Sequence, residues 1–134
     1  MTIYVDSSAY LKRYLAEPDS EVNERMMLAD PDWVTARHSS VEIRRTLARS
    51  LRGTALTTAR ENFGRDWALT KVIELNEVVC ETAALIAEAS GLRTLDALHL
   101  GAAQGAGSGQ LPFLTYDARQ ARAARALGWT VLGG

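Results

Sequence analysis

The chain has 134 residues, 47% hydrophobic and 23% charged, which excludes disorder and collagen-like sequence and suits one domain, residues 1–134, burying its own core. Fifteen basic and sixteen acidic residues leave a net charge of −1, so no global charge advertises a nucleic-acid or membrane partner. The lone cysteine, Cys80, excludes an internal disulfide framework and a zinc cluster built on cysteine pairs.

The predicted elements alternate between strand and helix. Ile3-Tyr4-Val5 reads as a strand, and Ser7 to Leu15 as a helix with Tyr10, Leu11, Tyr14 and Leu15 on one stripe. Ser20 to Ala29 is a second helix, stopped by Asp30-Pro31-Asp32, and Trp33-Val34-Thr35 a second strand. Ser39 to about Leu51 is helical and ends at Gly53. Residues 57–70 read as a poorly patterned helix containing Gly64, and Lys71 to Glu77 as a strand. Val79 to Ser90 is a helix capped by Gly91, and Thr94 to Gln104 another. A loop is expected from Gly105 to Pro112, then a strand Phe113-Leu114-Thr115, a helix Ala118 to Leu127 and a strand Trp129 to Leu132. Strands separated by helices imply a parallel sheet covered by helices. No apolar run approaches the roughly 18 residues of a spanning helix, and Met1 to Asp6 is unlike a signal peptide. The expectation is a cytoplasmic protein with no membrane partner.

Thirteen of the fifteen basic residues are arginine. Residues 37–65 hold seven arginines against Glu42 and Glu61, and Arg119, Arg122 and Arg125 recur every third residue near the C-terminus. Such groups form solvated helix faces or hold phosphates, for which the guanidinium fork is well shaped. Arg44 and Arg119 are the candidates for contact with a nucleic-acid backbone.

Several motifs fail on context. The glycines at 105, 107 and 109 follow a helix and lead into a strand, the reverse of a phosphate-binding loop, and Ser108 lacks the flanks of a nucleophile elbow. His38 and His99 are not at zinc-helix spacing; His99 is read as a satisfied core histidine or one that supports a ligand residue, and Cys80 as core packing.

Four carboxylates stand apart. Asp6 closes the first strand and Asp117 the strand at 113–116, while Glu42 and Asp96 stand in the first turns of helices. Each has a local explanation. Asp6 and Asp117 suit helix N-caps, Ser39-Ser40-Val41-Glu42 matches a capping box, and Asp96 suits the positive end of a helix dipole. Together they converge on the carboxyl edge of a parallel sheet, the usual ligand crevice. Crowded carboxylates repel unless one takes a proton or a cation intervenes. All-oxygen donors point to Mg²⁺, or Mn²⁺, which suits phosphate-bearing substrates and phosphodiester hydrolysis.

On these residues the sequence resembles a PIN-domain ribonuclease, more closely a VapC-type toxin of toxin–antitoxin systems. The segments are Ile3 to Tyr14, Ser40 to Leu47, Gly91 to Leu100 with its Leu-Asp-Ala-Leu-His-Leu core, Leu114 to Asp117 and Ala123 to Gly128. The resemblance implies a three-layer α/β/α sandwich with a short, mainly parallel central sheet. It implies that Asp6 and Asp96 are the principal metal ligands, with Asp117 and Glu42 completing the set, and that Ser7 and Thr115 are small hydroxyls beside them. Its implied partners are an RNA substrate, a VapB-like antitoxin whose C-terminal segment covers the crevice, and a second copy in a homodimer. Gly101 stands where the family more often has alanine, a departure read as costing only helix propensity. Asp66, outside the quartet, is read as a surface residue. The rival readings are a non-catalytic PIN-fold module binding RNA or protein, and a Mg²⁺-dependent phosphoacceptor domain. The latter, like an aspartate-nucleophile phosphatase, wants further acids where Ser7 and Ser8 stand.

Overall fold

A computed structural model describes residues 2–107 and 110–133. The elements are β1 (Thr2–Val5), α1 (Ser7–Leu11), α2 (Ser20–Ala29), β2 (Asp32–Ala36), α3 (Ser39–Ser50), α4 (Gly53–Leu69), β3 (Lys71–Ile73), α5 (Glu77–Ser90), α6 (Thr94–Gly107), β4 (Phe113–Leu114), α7 (Ala118–Ala126) and β5 (Val131–Leu132). The sheet order is β3-β2-β1-β4-β5, and every neighbouring pair is parallel. β1 is therefore the central strand.

Side-chain alternation along β1 divides the core. Ile3 and Val5 join Tyr10, Met27, Ile43, Leu47 and Phe63 beneath α1 to α4. Tyr4 points the other way and joins Val34, Leu100, Phe113, Ala124 and Trp129 beneath α5 to α7. Helices cover both faces, so the short central strands are apolar on both sides, as an all-parallel sheet requires.

Several local readings change. α1 ends at Leu11 because Asn23 Nδ2 donates to the Ala9 carbonyl at 2.9 Å, and the Arg13 N–H bonds one residue short, to Tyr10 O at 3.2 Å. Gly53, expected to end α3, begins α4 with φ +57°. β3 stops at Ile73 because Asn76 caps α5, its Oδ1 accepting from the Val79 N–H at 2.9 Å. α6 runs on to Gly107, past the expected loop start at Gly105, because its small residues pack on α5, with Gly105 against Val79. Ser108 and Gly109 lie outside the described residues. Cys80 is exposed, not core. Asp66 is mostly covered: Arg13 Nε donates to it at 3.0 Å and Tyr14 Oη at 2.5 Å, and Arg13 also pairs with Glu24.

Gly101 is a packing requirement. A Cβ there would lie 2.7 Å from the Val79 carbonyl oxygen and 3.0 Å from the Ala83 Cβ and N atoms, so α5 and α6 approach through its bare backbone. Gly101→Ala is expected to cost about 1–3 kcal/mol through overpacking. A Cβ at Gly64 would meet nothing within 4 Å among the described residues, so Gly64→Ala is expected to stabilise α4 by up to about 1 kcal/mol. Thermal denaturation of the two variants checks these opposite signs.

Candidate active site

The acids that end the two adjacent strands share one hydroxyl. Asp6 N-caps α1: its Oδ1 accepts from the Ala9 N–H at 3.0 Å and from Ser8 Oγ at 2.7 Å. Its Oδ2 accepts from Thr115 Oγ1 at 2.5 Å, and that Oγ1 accepts from the Asp117 N–H at 3.0 Å. Asp117 in turn caps α7, its Oδ1 accepting from the N–H groups of Arg119 and Gln120 at 2.9 and 3.0 Å. The capping role anticipated for both residues is real, and it fixes their carboxylates at the carboxyl ends of β1 and β4.

The capping box anticipated for Glu42 does not form. His38 precedes α3 as its N-cap residue and makes no side-chain cap bond, and Ser39 Oγ pairs with Thr35 Oγ1 at 2.7 Å. Glu42 is freed to turn toward the sheet. Its Oε1 accepts from Ser7 Oγ at 2.5 Å and faces His99 Nε2 at 2.8 Å. The other nitrogen of His99 meets the Tyr4 hydroxyl at 2.8 Å, so both ring nitrogens of this buried histidine are partnered. Asp96 sits one turn before His99 on α6. Arg93 Nε lies 3.7 Å from Asp96 Oδ2, and that oxygen is buried with no hydrogen-bond partner among the described residues.

The electrostatics follow from crowding and burial. Burial pushes the Asp6 carboxyl above its usual range, against the pull of His99, Thr115 and Ser8. Burial also raises Asp96, helped by the negative charges of Asp117 and Glu42 and opposed by Arg93 and His99. Burial would raise Glu42 too, but the bond and charge of His99 and the Ser7 hydroxyl outweigh it and hold Glu42 low. Asp96 thus feels both Asp117 and Glu42, while Asp6 is linked to them through His99, which pulls on Asp6 and on Asp96 and bonds Glu42. Among the described residues, no three of their carboxylates approach within 4.8 Å of one another; the group that does is His38, Glu42 and His99. Sequence reasoning misses His38. Its signal is the i,i+4 spacing to Glu42, which puts both on one side of a helix.

Residues 3–126 match the family model of the PIN domain. The chain belongs to the PIN domain family. This PIN domain is of the VapC type: it is 32% identical over 130 residues to Ribonuclease VapC46 of Mycobacterium tuberculosis, an alignment covering 97% of this chain and 95% of the relative. Its fold is similar to that of FitAcB from Neisseria gonorrhoeae, with a TM-score of 0.78 at 18% identity over 99% and 97% of the two chains. A toxin-antitoxin complex from Klebsiella pneumoniae is also similar, with a TM-score of 0.69 at 12% identity over 88% of each chain.

The PIN domain separates the two arginines singled out from sequence. Arg119 lines a surface cavity with Arg93 and Arg122, and Arg93 flanks Asp96. Arg44 lines a different one, between α3 and α4, with Arg37, Arg60 and Trp67; none of the four acids lines either cavity.

Acid sensitivity of the PIN domain follows from its histidine pair. Burial and the neighbouring His99 push the His38 imidazole down to about 4. An imidazole lowered in the fold binds its proton first in the unfolded chain, so its contribution to stability is lost as pH falls from about 6.5 toward 4. The lowered Glu42 acts in the same direction. Denaturant titrations across this window are expected to show stability falling with acid, and a shallower fall in His38→Gln.

Proposed function

We propose that this PIN domain is a Mg²⁺-dependent ribonuclease, the toxin of a VapBC-type pair acting on cytoplasmic RNA, with Mn²⁺ able to replace Mg²⁺. The relative named a ribonuclease supports the activity, and the toxin-antitoxin complex of the same fold supports an antitoxin partner. The single observation that carries the metal is Asp96 Oδ2. Among the described residues this buried carboxylate oxygen has no hydrogen-bond partner, and Asp117 and Glu42 add their charges to it. A hard cation resolves that conflict, and the donors are oxygens. Asp6 and Asp96 would be the principal ligands, with Asp117 and Glu42 completing the set directly or through water. The ion would activate a water and neutralise charge on the phosphodiester. The chain's own residues orient the acids: Thr115 fixes Asp6 against Asp117, and Ser7 and His99 fix Glu42. The implied homodimer has exposed Val22 and Leu28 on α2 available to it; Met27 belongs to the core. Among the described residues no helix is long and apolar enough to cross a membrane.

Incubating the purified protein with single-stranded RNA in Mg²⁺ and in chelator tests the reading. Cleavage in Mg²⁺ that chelator abolishes is expected; RNA intact in both conditions overturns it. Arg119→Glu is expected to weaken RNA binding and to lower the salt slope by about 0.7 for each phosphate the side chain no longer neutralises. Arg44→Glu, on the cavity between α3 and α4, is expected to change the slope less. Fluorescence anisotropy of labelled RNA over a salt series, without divalent ions, measures both.

A further inference from the structure

We propose that Arg93, Arg119 and Arg122 form a phosphate-binding cavity that holds the backbone of a single nucleic-acid strand beside the acids. The cavity reads neither base nor sugar, so single-stranded DNA binds it as RNA does and blocks RNA cleavage. The block on cleavage rests on the ribonuclease reading; the binding does not. The cavity, of about 330 Å³, lies between the segment leading from α5 into α6 and the exposed side of α7, and its size is at the lower end of ligand cavities. Arg93 comes from the first side, and Arg119 and Arg122 from the second. All three are exposed, and no acidic residue lines the cavity. Among the described residues Arg119 and Arg122 form no ion pair, and the acid partner of Arg93 is Asp96. Guanidinium groups gathered round one cavity repel each other, and an anion between them turns that repulsion into attraction.

The lining decides which anion fits. Ser90 is its one other polar side chain, and that hydroxyl is already committed. It donates to the Ile86 carbonyl at 2.6 Å and accepts from the Leu92 N–H at 3.2 Å. The free polar side chains are therefore guanidinium groups alone, which donate and never accept. Such forks suit phosphate oxygens. Base edges that carry donors find no side-chain acceptor here, and the hydroxyl that could single out a ribose 2′-OH is occupied. Arg119 and Arg122 are three residues apart, a rise of about 4.5 Å along α7, against about 3.4 Å per phosphate along one stacked strand. The row thus meets successive phosphates. A strand carries a charge on every backbone unit, whereas an acidic peptide must order each carboxylate side chain separately. Two links join the cavity to the acids. Arg93 Nε lies 3.7 Å from Asp96 Oδ2. Arg122 also lines a neighbouring cavity of about 290 Å³ that contains Asp117, Thr115 and Arg125.

Fluorescence anisotropy of labelled strands of about ten nucleotides, in chelator so that nothing is cut, tests the cavity. RNA and DNA of one sequence are expected to bind within tenfold of each other, and a methylphosphonate strand, which lacks backbone charge, is expected not to bind. Arg93→Gln, Arg119→Gln and Arg122→Gln combined are expected to weaken both strands at least tenfold and to lower the salt slope by about 2, at about 0.7 for each phosphate no longer neutralised. Arg65→Gln, on α4 across the sheet, is expected to leave the slope unchanged. In Mg²⁺ the DNA strand is expected to slow the cutting of RNA by wild type. RNA bound more than tenfold tighter than DNA, an unchanged slope in the triple variant, or bound DNA that leaves cutting untouched would overturn the proposal. So would a polyglutamate peptide that competes as well as the DNA, by assigning the surface to a protein partner. RNA cut by a protein whose triple variant keeps the wild-type slope would defeat the cavity and leave the ribonuclease reading standing. RNA and DNA held equally through these arginines by a protein that cuts no RNA would uphold the cavity and defeat that reading instead.

Discussion

Asp96→Asn is expected to lower RNA cleavage about a thousandfold, a transition-state loss of about 4 kcal/mol, while the protein without divalent ions melts no lower than before. The two halves have one cause. Asp96 is a half-buried carboxylate whose charge the fold disfavours, through burial and through Asp117 and Glu42. An acid raised in the fold loses its stabilising contribution as pH rises from the unfolded carboxylate range through its folded value. At neutral pH the ionised side chain is therefore a cost, and the isosteric amide removes it. Stability curves between pH 3 and 7 check the sign: wild type should lose more stability than Asp96→Asn as pH rises through the folded carboxylate's range. A variant that cleaves normally would leave Asp96 an ordinary first-turn acid; one that melts well below wild type would make its charge structural.

Asp6 is expected to behave differently in its two variants. Asp6→Asn and Asp6→Ala should both lose cleavage, but only the alanine should melt several degrees lower. The Asp6 carboxylate accepts from the Ala9 N–H, Ser8 Oγ and Thr115 Oγ1, and it is almost wholly buried. Alanine deletes an N-cap, a cost of about 1 kcal/mol, and strands buried donors at about 1–3 kcal/mol for each left unsatisfied. Asparagine keeps an oxygen for the cap and removes a charge that burial disfavours. Calorimetric midpoints set beside cleavage rates separate the roles. Full activity in Asp6→Asn would reduce Asp6 to a cap.

Legibility in the sequence tracks the range of the interactions that decide each position. Asp6 and Asp117 are readable because a strand end followed by a helix cap is a local event. Glu42 is readable in its place along the chain but not in its partner. The capping box competes with Ser7 and His99, and those contacts span 35 and 57 residues of sequence. Convergence at a sheet edge does not by itself place Asp96, because α6 follows α5, not a strand; the Leu-Asp-Ala-Leu-His-Leu stretch points to it. Helix propensity alone undervalues Gly101, since no local pattern announces a neighbouring helix 2.7 Å from an absent Cβ. Asp66 and Cys80 mislead for matching reasons: the apolar stripe of α5 is narrower than its composition suggests, and the Arg13–Tyr14 turn reaches α4 only in the folded molecule.

The central place of β1 has a kinetic meaning. β1 pairs with β2 early in the chain, but its other edge waits for β4, and the Thr115–Asp6 bond closes across 109 positions. During synthesis the first two-thirds of the polypeptide can leave the ribosome with Asp6 lacking Thr115 and Asp117. The Asp6–Thr115–Asp117 arrangement therefore forms only once the final third of the molecule has docked.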